Sequence, residues 1–162
     1  MNEHEVAFDS YTRAVQSLIL DFQFIEELLK IVIGGSYEAI RRSAPSIVRF
    51  RPNRSVLEKE SLGRLIQRYE EVSDNDPLIQ NLRQVVGDRN FCAHRSLVLT
   101  LEEQRDVRFL DAERRRLEAV RQNTRPCVMA LQAEFEALAR YLQEPPNTTV
   151  ERDAPQEARP SP

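Results

Sequence analysis

The sequence predicts an all-α protein: an up-and-down bundle of four to five helices over residues 1–142, then a disordered, proline-rich tail over 143–162. Three observations carry this prediction. Apolar residues recur at three- and four-residue steps through long stretches near both ends of the chain, which is the period of a helix buried along one face. Polar capping residues stand just ahead of the periodic runs. Only residues 97–110 have a β-rich character, and there a small hairpin competes with continued helix. A chain of 162 residues is the size of one ordinary domain.

The first helix rests on Phe8, Tyr11, Val15, Leu18, Phe22, Ile25, Leu29 and Val32, with Gly34-Gly35 as its expected stop. A second stripe through Ile19, Phe24, Leu28 and Ile31 widens the face expected to be buried. Residues 39–57 carry Arg41, Arg42, Arg49, Arg51 and Arg54 with no acid among them and are broken by Pro45 and Pro52, so a basic loop or short irregular helix is expected. Ser55 with Glu58 fits a capping box, Ser61 offers a second start, and a helix over roughly 56–72 follows. Asp76 as N-cap and Pro77 in the first turn start the next helix, in which Leu78, Leu82, Val85, Val86, Ala93 and Leu97 keep helical spacing. Asp111 is the expected cap of a long last helix with Leu117, Val120, Thr124, Val128, Leu131, Phe135, Leu138 and Leu142 on one face, kinked or broken at Pro126.

The formal net charge is −3, and the cations are almost all arginine, with lysine only at Lys30 and Lys59. Arginine forks suit carboxylates and phosphates. The tail holds four acids and two arginines, a net of −2, which leaves the rest of the chain at −1, so the basic loop must be balanced by acidic faces elsewhere. No apolar stretch reaches the roughly 20 residues that span a bilayer, no signal core is evident, and two cysteines make no disulfide framework. A cytoplasmic protein with no membrane partner is expected.

Standard chemistries drop out in turn. Two histidines, His4 and His94, and two distant cysteines do not assemble a tetrahedral metal site, so no metal or other cofactor is expected. With four glycines and no glycine-rich loop the chain lacks a phosphate cradle, and no Gly-x-Ser-x-Gly is present. The pairs Glu26-Glu27, Glu70-Glu71 and Glu102-Glu103 point about 100° apart on a helix and do not converge. Cys92 stands two residues before His94, on the opposite side of a helix, and is expected to be packed.

What remains is "VVGDRNFCAHRSLV", residues 85–98. Asn90 and His94 are four apart and share one helix face, and Arg89 is long enough to reach the same opening. An amide can orient an imidazole, and an arginine can neutralise a phosphate oxygen as charge develops, so the cluster suits metal-free phosphodiester cleavage. On spacing alone a second arrangement stands beside it, with His94 bonded to a neighbouring loop and Arg89 paired with Asp88 or Glu71.

The stretch "RNFCAH", Arg89 to His94, resembles the motif of the HEPN superfamily, an arginine followed after four to six residues by histidine, often with a polar residue beside the arginine. The likeness extends to a long first helix with "FIEELLK", the helix start "SLGRLI" and "DRNFCAHR", covering roughly residues 5–142. It implies a helical bundle that dimerises so that two copies of the motif face one cleft; many members are metal-independent ribonucleases acting as toxins or in phage defence. Carried to this chain, it makes Arg89, Asn90 and His94 the candidate catalytic residues and an antitoxin or defence-system protein a candidate partner. In members controlled by a partner nucleotidyltransferase a tyrosine follows the histidine by two residues; Ser96 stands there here.

Elementary chemistry agrees about the dimer. Attack of an RNA 2′-OH on its own phosphate, giving a 2′,3′-cyclic phosphate, needs a proton acceptor and a donor, while the body of one chain offers one imidazole. A homodimer with a composite active site supplies two, sharing one proton near their ordinary pKa of about 6.5. Single-stranded RNA is the expected substrate, because its 2′-OH is free to swing in line. Arg41, Arg42, Arg49, Arg51, Arg54 and Arg95 are the candidate RNA-binding residues. The alternative is a non-catalytic dimeric adaptor or regulatory protein that binds a protein or nucleotide partner.

Overall fold

A computed structural model describes residues 2–45, 47–96 and 98–144, and the described residues are all-helical, without a strand. The elements are α1 (Glu3–Ser43), α2 (Arg54–Leu57), α3 (Leu62–Glu70), α4 (Asp76–Phe91), a π-helical turn (Cys92–Ser96), α5 (Leu101–Arg105) and α6 (Val107–Gln143). Most of the tail expected at 143–162 lies outside the described residues.

The frame is a pair of long helices, α1 and α6, that run parallel. His4 meets Gln104 at one end, Asp21 pairs with Arg121 in the middle, Gly35 lies against Leu138, and Ser43 meets Tyr141 at the other end. Parallel neighbours need a return stroke between them. It is supplied by α4, whose start is tied to α6 by the Asn75 amide on Glu134 and whose end is tied to α1 by the Tyr11 hydroxyl on the Ser96 carbonyl. The core lies among these three helices and α3, with Leu18, Ile25, Leu29, Leu65, Tyr69, Leu82, Leu110, Leu117 and Leu131 fully enclosed. The predicted stripe of α1 is buried from Tyr11 to Val32, as its period requires.

Several local expectations are corrected. Gly34-Gly35 does not end α1, which runs on to Ser43, because neither glycine adopts the left-handed conformation that a glycine stop uses. Gly35 instead lets α6 approach: a Cβ there would lie 2.5 Å from Leu138 Cδ2. The second stripe is only half buried, since Leu28 is enclosed while Phe24 and Ile31 are 57% and 48% exposed. The single helix expected over 56–72 is two, α2 capped by Asn53 and α3 preceded by Ser61. Asn75, one residue before Asp76, caps α4.

The hairpin weighed for 97–110 is absent among the described residues. Thr100 and Glu103 close a reciprocal capping box on α5, and Asp106 accepts from the amides of Arg108 and Phe109 to start α6, earlier than the expected cap at Asp111. These caps satisfy backbone donors locally and outweigh the β preference of the flanking residues. Pro126 neither breaks nor ends α6, which runs continuously through it; there the ring sits on the exposed side. His4 belongs to α1 and reaches the Gln104 carbonyl.

Candidate functional site

The motif sits where α4 changes its winding. Val85 and Leu82 anchor the preceding turns in the core, and beyond Phe91 the chain widens into the π turn that carries Cys92, Ala93, His94, Arg95 and Ser96. Such turns place one extra residue in the ladder and recur at functional sites. Two buried groups pin this one. Cys92 is 1% exposed, and the hydroxyl of Tyr11, itself 3% exposed, donates to the Ser96 carbonyl at 2.6 Å. Burial pushes the Tyr11 phenol up, so it stays a neutral donor. Burial likewise pushes the Cys92 thiol up, which keeps it protonated and packed as expected.

Arg89, Asn90, His94 and Arg95 are all exposed. Asn90 and His94 line the same open groove of about 660 Å³, so the structure brings them together as their four-residue spacing predicts. Arg89 is not in its lining, yet its guanidinium lies 3.4 Å from Asn90 Oδ1. Its acid partner is neither Asp88 nor Glu71 but Glu26 of α1, at 3.9 Å, a weak pair with both side chains partly in solvent. Among the described residues nothing lies within hydrogen-bond reach of the His94 ring, so its neighbours do not fix a tautomer.

The far wall of the groove comes from α5 and α6 and includes Glu103, Phe109 and Glu113. The carboxyl of Glu103 is held below the usual range by the Thr100 amide and hydroxyl, with Arg95 adding to the effect. Arg116 stacks over the Phe91 ring at 3.9 Å and pairs loosely with Glu113, which fixes the wall opposite the motif. Sequence reasoning missed Glu26, Tyr11, Glu103 and Glu113, since each reaches the motif across the fold. Among the described residues no group of three or more His, Cys, Asp or Glu side chains is placed to hold a metal ion.

The basic segment is elsewhere. About 30 residues of α1 separate Tyr11, level with the motif, from Arg41, which at 1.5 Å per residue is about 45 Å. Three of its arginines are also already engaged: Arg41, Arg42 and Arg54 converge on Glu38, and Arg54 donates to the Gly34 carbonyl at 3.0 Å. Hydrogen bonds from Arg41 and then Arg42 hold the Glu38 carboxyl down at about 2. Arg49 and Arg51 are exposed and make no ion pair among the described residues. Within one chain, therefore, only Arg95 of the six candidate RNA-binding arginines lies at the groove.

No α-helix is long and apolar enough to cross a membrane among the described residues. Compared with protein-family profiles, with curated proteins and with solved structures, the chain matches none of them.

Proposed function

We propose that this chain is a metal-independent endoribonuclease of the HEPN type, working as a homodimer on single-stranded RNA in a toxin or phage-defence setting. One observation carries the reading: Asn90 and His94 open into one groove while the Arg89 guanidinium stands 3.4 Å from the Asn90 amide oxygen.

In the reaction the 2′-oxygen bonds to phosphorus and the bond from phosphorus to the 5′-oxygen breaks. One imidazole takes the 2′-OH proton, and a second gives a proton to the departing 5′-oxygen, leaving a 2′,3′-cyclic phosphate and a 5′-hydroxyl. Asn90, which makes no hydrogen bond to the His94 ring in the free chain, turns to orient that ring once RNA is bound, and Arg89, released from its loose pair with Glu26, neutralises the non-bridging oxygens. The second imidazole is the His94 of another copy. Val98 on the rim of the groove and Leu101 beside it, 74% and 72% exposed, offer apolar surface on which the two copies meet.

Purified protein incubated with mixed RNA in EDTA tests this. Wild type is expected to cut and to leave cyclic phosphate ends, and His94→Ala and Arg89→Ala are each expected to lose roughly 10²–10⁴-fold in rate. Intact RNA with wild type, or undiminished cutting by His94→Ala, overturns the catalytic reading and leaves the adaptor. Val98→Glu with Leu101→Glu, expected to lower the mass in light scattering and the cleavage rate together, tests the composite site.

A further inference from the structure

The groove that holds Asn90 and His94 has two unlike walls. On the α4 side stand cations, with Arg95 in the lining and Arg89 beside Asn90. On the side of α5 and α6 stand two carboxylates, Glu103 and Glu113, and the ring of Phe109. A phosphate is drawn to the first wall and repelled by the second. The part of an RNA strand that faces the second wall is therefore a base, and the cleavage chemistry itself uses none of those three side chains.

Phe109 and Glu113 are four residues apart on α6 and share one face of it. Neither has its full complement of partners within the fold. The Phe109 ring is half-buried, lies outside the hydrophobic core and takes no stacked ring or cation among the described residues, whereas the groove's other ring, Phe91, is covered by Arg116. The Glu113 side chain is only 16% exposed, yet among the described residues its one ion pair is with Arg116 at 3.7 Å, beyond hydrogen-bond range, and it accepts no hydrogen bond. A carboxylate so far out of water gains from any donor brought to it. Glu103, by contrast, already accepts from the Thr100 amide at 2.8 Å.

We propose that Phe109 and Glu113 form a subsite that selects guanine beside the cut, with the base stacked on the Phe109 ring and its Watson–Crick edge turned to the Glu113 carboxylate. The subsite rests on the ribonuclease reading for the course of the strand and adds which nucleotide the groove prefers. An aromatic face takes any base, because every base has a π face; the choice falls to the edge. Guanine alone carries two adjacent donors there, N1–H and the N2 amino group, which the two carboxylate oxygens accept side by side as they accept an arginine fork. Adenine and cytosine each set one amino group next to a bare ring nitrogen, which a carboxylate repels. Uracil has a single N–H between two carbonyl oxygens. A site built around a buried acceptor rejects a ligand that leaves it unpaired. The same edge is occupied by the pairing base in a duplex, so the subsite also demands a single strand.

Two measurements on the full chain test the proposal, and only the second depends on cleavage. In NMR titrations with the four nucleoside 5′-monophosphates, guanosine monophosphate is expected to bind roughly tenfold more tightly than the others and to shift the amides of residues 109–113. Glu113→Gln, which keeps the size and removes the charge, is expected to abolish that preference, and Phe109→Ala to weaken all four by roughly tenfold. No binding, equal binding of the four, a guanine preference that survives in Glu113→Gln, or affinities that Phe109→Ala leaves unchanged overturns the subsite.

In cleavage of randomised RNA in EDTA, the sequenced ends are expected to show guanine enriched at one position beside the cut with wild type and no enrichment with Glu113→Gln. Cutting without that enrichment overturns the subsite and leaves the ribonuclease. Guanosine monophosphate binding by a chain that cuts no RNA overturns the ribonuclease and leaves the guanine site.

Discussion

Replacing Tyr11 with phenylalanine asks whether the winding of the motif is held from across the bundle. The ring of Tyr11 is packed in the core and the substitution keeps it, so the transfer of apolar surface is unchanged and only the hydroxyl is lost. That hydroxyl donates at 2.6 Å to the Ser96 carbonyl, in a place where Tyr11 and Ser96 are 3% and 4% exposed. Water cannot freely take its place. Loss of a buried partner that leaves a carbonyl unpaired costs about 1–2 kcal/mol, and for a chain of this size that lowers the melting temperature by about 3–6 °C.

The same change frees the last residues of the π turn, and with them His94. Backbone amides of residues 92–96 are expected to exchange faster than in wild type, and the proposed RNA cleavage to fall by roughly tenfold, since small misplacements of a reacting group are costly. Urea unfolding, hydrogen exchange and a cleavage time course are the assays. A stability change below about 0.3 kcal/mol with unchanged exchange at 92–96 would refute the claim that Tyr11 holds this turn, because that is well under the range for any buried hydrogen bond.

Two further perturbations probe the other end of the molecule. The Glu38 carboxyl, with its pKa lowered from 4.5 to about 2, contributes stability that is present above pH 4.5 and lost as the pH falls toward 2. Acid unfolding of wild type and Glu38→Gln is therefore expected to show a gap at neutral pH that closes by about pH 2 and narrows in high salt; a gap that does not change with pH contradicts the assignment. Gly34→Ala adds a Cβ to open space and is expected to stabilise by about 0.5–1 kcal/mol, whereas Gly35→Ala must first push the end of the Leu138 side chain aside and is expected to gain less. Equal stability of the two variants by urea unfolding would show that the helices do not meet closely at Gly35.

The long helices were legible because their signals are local and repeated: every third or fourth residue from Tyr11 to Val32 is apolar, and each is buried. Boundaries depended on single residues with more than one meaning. A glycine pair reads as a stop, yet Gly35 is where α6 comes near, a contact set by Leu138 far along the chain. The capping box of Thr100 and Glu103 was in the sequence, overshadowed by the apolar run around Val98 ahead of it. At the candidate site the shared face of Asn90 and His94 followed from spacing alone, while Glu26, Tyr11 and Glu113 did not, because no local pattern ties residues on α1 or α6 to the end of α4. The basic segment was legible as charge but not as place; Glu38, one turn before Arg42, draws in three of its arginines.

The parallel course of α1 and α6 has an electrostatic consequence. Each long helix has a macrodipole worth about half a positive charge at its start and half a negative charge at its end, and parallel helices add where antiparallel ones cancel. Both negative ends lie at one pole of the molecule, where Arg41 and Arg42 occupy the last turn of α1, Arg140 that of α6, and Arg42 donates to the Leu142 carbonyl. Glu3 and Glu5 occupy the first turn of α1 at the opposite pole. Arg41 and Arg42, which read in the sequence as part of a nucleic-acid-binding segment, thus serve as counter-ions to two helix ends.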